Sequence, residues 1–113
     1  MSAPESQQSQ QSQQPQSETI NIPCDNTLNQ AAKLSIKISK PICFYFYLDS
    51  CRDNAKLCTN DSEKIIYKNS EEHTSSISNI YKVNKEFLVV TENTIYIISS
   101  DTKVTKMPEE LSN

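Results

Sequence analysis

Four cysteines and a single histidine are the residues of this 113-residue chain whose types point most directly to chemistry. Cys43, Cys51 and Cys58 follow one another with seven and six residues between them, and His73 is the one imidazole. Three thiolates and an imidazole would make a tetrahedral zinc set. Zinc modules, however, place their ligands in short Cys-x-x-Cys knuckles that preform half the site, and no such pair occurs here. A Cys51–Cys58 disulfide would suit an oxidising compartment, since those residues bracket one loop. The expected state is free, structural thiols, Cys24 included, with no cofactor. Zinc stabilisation through Cys43, Cys51, Cys58 and His73 stands as an alternative.

Catalytic chemistry has thinner support. His73 lies in the polar run Ser70-Glu71-Glu72-His73-Thr74-Ser75, the pattern of a solvated loop. A Cys–His nucleophile pair requires contact that the spacing does not supply. Asp49 and Asp53 flank Ser50-Cys51-Arg52, without the glycine or bidentate glutamate of a calcium loop, and read as a polar turn. Glu71-Glu72 and Glu109-Glu110 read as solvated charge. Glycine is absent altogether, where about eight would be average for this length. Phosphate loops, dinucleotide-binding turns and nucleophile elbows all need glycine for close backbone approach. Those enzyme classes are excluded, and a non-enzymatic protein is expected.

A nucleic-acid reading rests on aromatic and basic residues interleaved on strands. Tyr45 and Tyr47 with Lys64 and Lys68 are its first candidates, and Tyr67, Tyr96, Lys37 and Lys82 extend the set. Such faces stack bases and hold phosphates in single-strand binders. Against it, 14 acidic and 11 basic residues give a net charge of −3, with one arginine and no basic block. Cross-strand Tyr and Lys pairing accounts for the same residues. The acidic balance gives no attraction to anionic lipid, and no apolar run approaches the ~20 residues of a membrane span. The polar N-terminus lacks the pattern of a signal peptide, so cytoplasmic or nuclear residence is expected.

The elements that would position these residues divide the chain into three parts. Residues 1–18 are almost wholly Gln, Ser, Pro, Ala and Glu, with nothing apolar to offset ordering entropy, and are expected to be disordered. Residues 19–106 form a single β-rich domain, and 107–113 a polar tail. Ile20 and Ile22 suit a short edge strand. Asp25 or Asn26 caps a short helix through Lys33. Leu34, Ile36 and Ile38 alternate with polar residues as a strand. Ile42 to Leu48 reads as a central strand with Ile42, Phe44, Phe46 and Leu48 in the core. Short strands follow at Lys56 to Thr59 and Lys64 to Lys68. Asn69 to Ser76 is a polar connection. Runs at Ile77 to Val83, Glu86 to Thr91 and Thr94 to Ser99 are joined by Asn84-Lys85 and Glu92-Asn93, links suited to type I′ hairpins. A last strand covers Lys103 to Lys106.

The fold class is therefore mainly β: an antiparallel meander forming a small sheet, sandwich or partly open barrel, with one short N-terminal helix. The meander from Ile80-Tyr81-Lys82-Val83 through Val104 resembles one blade of a β-propeller, a likeness that implies hairpin rhythm and no closed ring. Through Ala32-Lys33-Leu34 and Glu63 to Ser99 the chain also resembles small uncharacterised proteins of large cytoplasmic DNA viruses. That likeness implies a viral origin, with a virion as a further location, and brings no mechanism. Phe87-Leu88-Val89-Val90 carries apolar residues toward both faces of the sheet. A seven-residue helix and so short a chain leave one face to be covered by a partner. The expected function is a protein-interaction or structural module, such as a capsid or assembly component. Its contact surface is expected at Leu88, Val90, Tyr96 and Ile98, with a protein partner or a second copy.

Overall fold

The computed structural model describes residues 22–111. The disordered tail and the edge strand at Ile20 that the sequence leads one to expect lie outside the described residues.

Helix α1 spans Asp25–Ile38. Thr27, Ala31, Leu34 and Ile38 recur at spacings of four, three and four, which places them on one stripe of a 3.6-residue helix. Thr27 and Ala31 on that stripe are fully buried, and Leu34 and Ile38 pack beside them. Asp25 in the first turn and Lys37 in the last complement the helix dipole. Ser39 ends the helix in the left-handed conformation (φ 59°, ψ 46°), its N–H donating to the Ser35 carbonyl, in the role glycine usually takes. The expected strand from Leu34 to Ile38 is thus the second half of the helix. Its two-residue alternation was real, but Leu34 and Ile38 are also four apart, and Ala31 supplies the rest of the stripe. Ile36 alone is turned to solvent, 82% exposed.

Among the described residues eight strands follow, forming two four-stranded mixed sheets without a closed barrel. In the first sheet the order is β1(Ile42–Cys43), β7(Ile95–Ser99), β6(Glu86–Thr91), β5(Ile77–Val83). Strands β5, β6 and β7 are antiparallel neighbours, as the meander implied, while β1 adds parallel to β7. In the second sheet the order is β4(Glu72–His73), β3(Lys64–Asn69), β2(Lys56–Thr59), β8(Val104–Lys106). Strand β4 occupies part of the expected polar connection. Strand β8 leaves the meander and pairs parallel with β2. Flanking backbone bonds fix it there: Leu57 N–H donates to the Lys103 carbonyl at 2.8 Å, and Met107 N–H to the Thr59 carbonyl at 2.7 Å.

Burial accounts for this layering. In β6 and β7 apolar residues point to both faces, so each face needs a cover. Leu88, Val90, Ile95 and Ile97 lie under α1, packed with Ala31 and Tyr47. Val89 and Ile98 point the other way and meet Leu57 and Ile66 of the second sheet, with Phe46 and Ala55. Cys58 and Ile65, cross-strand partners on the outer face of the second sheet, are covered by Met107 and flanked by Leu111. Met107 and Leu111 therefore pack on a sheet face, where the sequence suggested only a polar tail. Fully burying an Ile, Leu or Val side chain is worth about 1.5–3 kcal/mol, whereas the exposed Lys103–Asp53 ion pair is screened by solvent and adds little. The apolar layers dominate.

The expected central strand from Ile42 to Leu48 is the largest correction. Only Ile42–Cys43 pairs, as an edge; the chain then turns into a short helix, α2, at Tyr47–Cys51. Tyr47 N–H donates to the Phe44 carbonyl (2.9 Å) and Ser50 N–H to that of Phe46 (2.9 Å). The Ser50 hydroxyl, itself buried, lies 2.6 Å from the Tyr47 carbonyl and accepts from Ser99 N–H at 2.9 Å. These bonds tie α2 to the end of β7. Phe46 and Tyr47, adjacent in sequence, enter different layers, which a strand of that length and a helical turn both permit. The polar anchors Ser50 and Ser99 decide for the turn.

A glycine-free chain must make its turns with other residues. Among the described residues positive φ occurs at Ser39, Asp53 and Asn84. Asn84 (φ 55°) turns β5 into β6, but Lys85, Glu92 and Asn93 are not left-handed. Neither hairpin link is therefore type I′, which needs two such residues in succession.

Candidate functional site

The site begins where the described chain begins. Ile22 and Pro23 lead into α1, and the Cys24 carbonyl accepts the first helical bond, from Leu28 N–H at 3.0 Å. Beside them the turn before α2 brings up Phe44 and the helix itself Tyr47 and Leu48. Together Ile22, Pro23, Leu28, Phe44, Tyr47 and Leu48 line an apolar hollow of about 400 Å³. Pro23 and Tyr47 form buried walls, whereas Ile22, Phe44 and Leu48 are 66%, 48% and 40% exposed. Three large apolar side chains open to solvent around one depression make it a candidate contact surface.

A polar anchor holds the hollow's helical wall. Glu86, buried at the start of β6, has its Oε1 2.6 Å from the Thr27 hydroxyl and accepts Cys24 N–H at 3.3 Å. The Cys24 thiol lies 3.9 Å from the other carboxylate oxygen. The carboxylate therefore fixes the first turn of α1 against the β5–β6 hairpin, reinforced by an Asn26–Asn84 side-chain bond of 2.9 Å. On the far side of Tyr47 is a second cleft of about 700 Å³, whose lining includes Cys24, Cys51, Glu86 and Asp101. Burial pushes the Tyr47 phenol well above its ordinary value, helped by a hydrogen bond with Cys51 and the nearby negative potential of Cys51, Glu86 and Cys24. It stays protonated, as a fixed dipole between hollow and cleft.

The residues singled out from the sequence fall elsewhere. Leu88, Val90 and Ile98 are buried, and Tyr96 is half-buried. Leu88 and Val90 face α1, whereas Ile98 and Tyr96 face the second sheet. They do not form one surface, because the protein's own layers cover both faces. Of the nucleic-acid candidates, Tyr47 is buried and Lys64 exposed at the start of β3. Tyr45 and Lys68 do meet, but on a carboxylate: the Tyr45 hydroxyl donates to Glu72 at 2.9 Å, and the Lys68 ammonium lies 3.5 Å from Glu72 and 3.4 Å from Asp49. Two acids so placed oppose a phosphate. Asp49 and Asp53 serve different lysines, Lys68 and Lys103, and do not act as a pair.

The zinc candidates are dispersed. Cys43 lies on β1, Cys51 on α2, Cys58 in the outer layer of β2, and His73 on β4, stacked on Tyr67 with centroids 6.3 Å apart. Among the described residues no group of three or more His, Cys, Asp or Glu is placed to hold a metal ion. All four cysteines are free, so the Cys51–Cys58 pairing is not made. Their surroundings predict unequal reactivity. Cys51 is exposed, whereas Cys58 is buried and burial raises its thiol pKa, which removes both access and thiolate. Alkylation followed by peptide mass spectrometry should modify Cys51 in the native protein and Cys58 only in denaturant. Rapid native labelling of Cys58 would show that Met107 does not cover it.

Of the hollow's lining, sequence reasoning marks Tyr47 alone as a site residue, and as a nucleic-acid candidate rather than as part of an apolar docking surface. Phe44 and Leu48 were assigned to a buried strand face, and Ile22 to an edge strand. The spacing carries no local signal against the strand, since the eight residues between Pro41 and Ser50 are room enough for one.

Fold and surface together describe a two-sheet β domain, flanked by a helix on one side and carrying an apolar hollow at the helix's N-terminal end. No protein-family model matches the chain, and no curated protein or solved structure matches it.

Proposed function

We propose that this protein is a non-enzymatic interaction module, a docking or building part of a larger protein assembly, and that it receives apolar side chains of a protein partner in the hollow. The carrying observation is the exposure of Ile22, Phe44 and Leu48 around a depression whose lining is apolar apart from Tyr47. Water in such a hollow is displaced at a gain of roughly 25 cal/mol for each Å² of apolar surface covered. The walls are preformed, because Glu86 and Ser50 fix α1 and α2 to the first sheet. A rigid receptor loses little entropy on binding. An aperture of this kind takes side chains rather than a polymer backbone rich in phosphate, and acidic residues adjoin its lining in sequence: Asp25 two residues after Pro23, and Asp49 next to Leu48.

The test is site-specific crosslinking. A photoreactive amino acid replaces Phe44 in the full chain, with Ser62, exposed in the β2–β3 turn and outside the hollow's lining, as the control position. Discrete crosslinked protein products are expected from position 44 and not from 62, and Leu48→Asp in the same chain should remove them. Equal or absent crosslinking at the two positions would defeat the reading.

A further inference from the structure

Ile36 is the most exposed large apolar side chain among the described residues, at 82%, and the hollow is the apolar concavity on the same molecule. Ile36 lies on α1 half a turn around from buried Thr27, and among the described residues none covers it. It is eight residues from Leu28, which lines the hollow; at 1.5 Å and 100° per residue this is about 12 Å along the helix and roughly 80° around it. Knob and hollow are thus separate surfaces of one helix.

Charge follows the same division. Ile36 is bracketed by Lys33 and Lys37, both exposed. The hollow's helical wall carries Asp25, exposed, one turn before Leu28. Among the described residues none of these three is in an ion pair. A basic, apolar knob therefore complements an apolar hollow that has the Asp25 carboxylate on its helical side, and like ends repel.

We infer that the occupant of the hollow is Ile36 of a second copy of this chain, with Lys33 and Lys37 of that copy beside Asp25. This rests on the interaction-module reading and names its partner. Because the two surfaces differ, the contact is heterologous: each copy inserts its knob into one neighbour and offers its hollow to the next. Such contacts grow into rings or open filaments rather than stopping at a two-fold dimer.

Sedimentation velocity on the full chain tests this with two surface substitutions. The wild type should gain mass with concentration beyond a dimer, and lose it as salt is raised. Ile36→Asp removes the knob and keeps the hollow; Leu48→Asp does the reverse. Each alone should sediment as a monomer with an unchanged circular dichroism spectrum. Their equimolar mixture retains one intact knob and hollow, and should give a species of twice the monomer mass and nothing larger. A mixture that stays monomeric, or a variant that self-associates like the wild type, overturns the pairing. A wild type monomeric at every concentration overturns the second copy as occupant. Crosslinks from position 44 to a different protein would then leave the interaction reading standing, and their absence would remove both.

Discussion

Leu88→Lys is expected to unfold the domain. Leu88 is 2% exposed in the middle of β6, opposite Ile97 on one side and Tyr81 on the other, and packed in the layer that contains Ala31 of α1. Truncating a buried leucine alone costs about 2–5 kcal/mol. A lysine there must also bury an unpaired ammonium, or give up its proton, or push α1 off the sheet. Each adds several kcal/mol. Domains of this kind have about 5–15 kcal/mol in all. The sum reaches the whole stability of an ordinary small domain, and far-ultraviolet circular dichroism at room temperature should show the β signal lost. Tyr81→Lys is the control, since Tyr81 is the cross-strand neighbour on the edge strand and 45% exposed. It should shift the urea midpoint only slightly. A folded Leu88→Lys with a wild-type midpoint would mean that α1 does not cover this face.

This expectation departs from the reading of the sequence, which puts Leu88 on a contact surface open to a partner, where a charge would break association and spare the fold. The underlying physics was legible: β6 and β7 carry apolar residues to both faces, and both need cover. The error lay in the length of the helix. Read as ending at Lys33, α1 is too short to cover Leu88, Val90, Ile95 and Ile97, so a partner was required. Continued to Ile38, as the Thr27–Ala31–Leu34–Ile38 stripe demands, it covers them. Period-two and period-3.6 patterns coincide at positions four apart, and five residues are too few to separate them.

Other parts of the fold show the same division between local and non-local information. Strands β2, β3, β5, β6 and β7 fall close to their expected places because turn residues and alternation are properties of neighbours in sequence. The departure of β8 to pair with β2 was not legible. It depends on burying Met107 against Cys58 and Ile65, residues some forty to fifty positions away. The hollow was illegible for a related reason. Ile22, Leu28, Phe44 and Leu48 come from three segments, and each has a sound local explanation as strand or helix core. Only the tertiary arrangement leaves Ile22, Phe44 and Leu48 uncovered. The dispersal of the cysteines, by contrast, was foreshadowed by the absence of any close pair.

Phe46→Ala should cost about 3–5 kcal/mol, and Phe44→Ala, two residues earlier, within about 0.5 kcal/mol. In an extended strand these positions share a face, and truncating either ring would empty the same layer. The chain instead leaves β1 after Cys43, and Phe46 takes a bridge-region conformation (φ −96°, ψ 2°) that opens α2. The turn separates the two rings. Phe46 is 4% exposed between the sheets, its ring 5.6 Å from that of Tyr96 and 5.0 Å, edge-on, from that of Tyr45, among Ala55, Leu57, Ile66, Val89 and Ile98. Removing it leaves a cavity that these β-strand side chains cannot collapse to fill, which places the loss toward the upper end of the range. Phe44 is 48% exposed on the hollow and contributes little to the folded state. Urea denaturation of the two variants, with the slope of each transition compared to the wild type, measures the difference. A large loss for both would restore the strand and bury the hollow's wall. A large loss for Phe46→Ala alone supports the turn into α2, and with it the exposed position of Phe44 from which docking is argued.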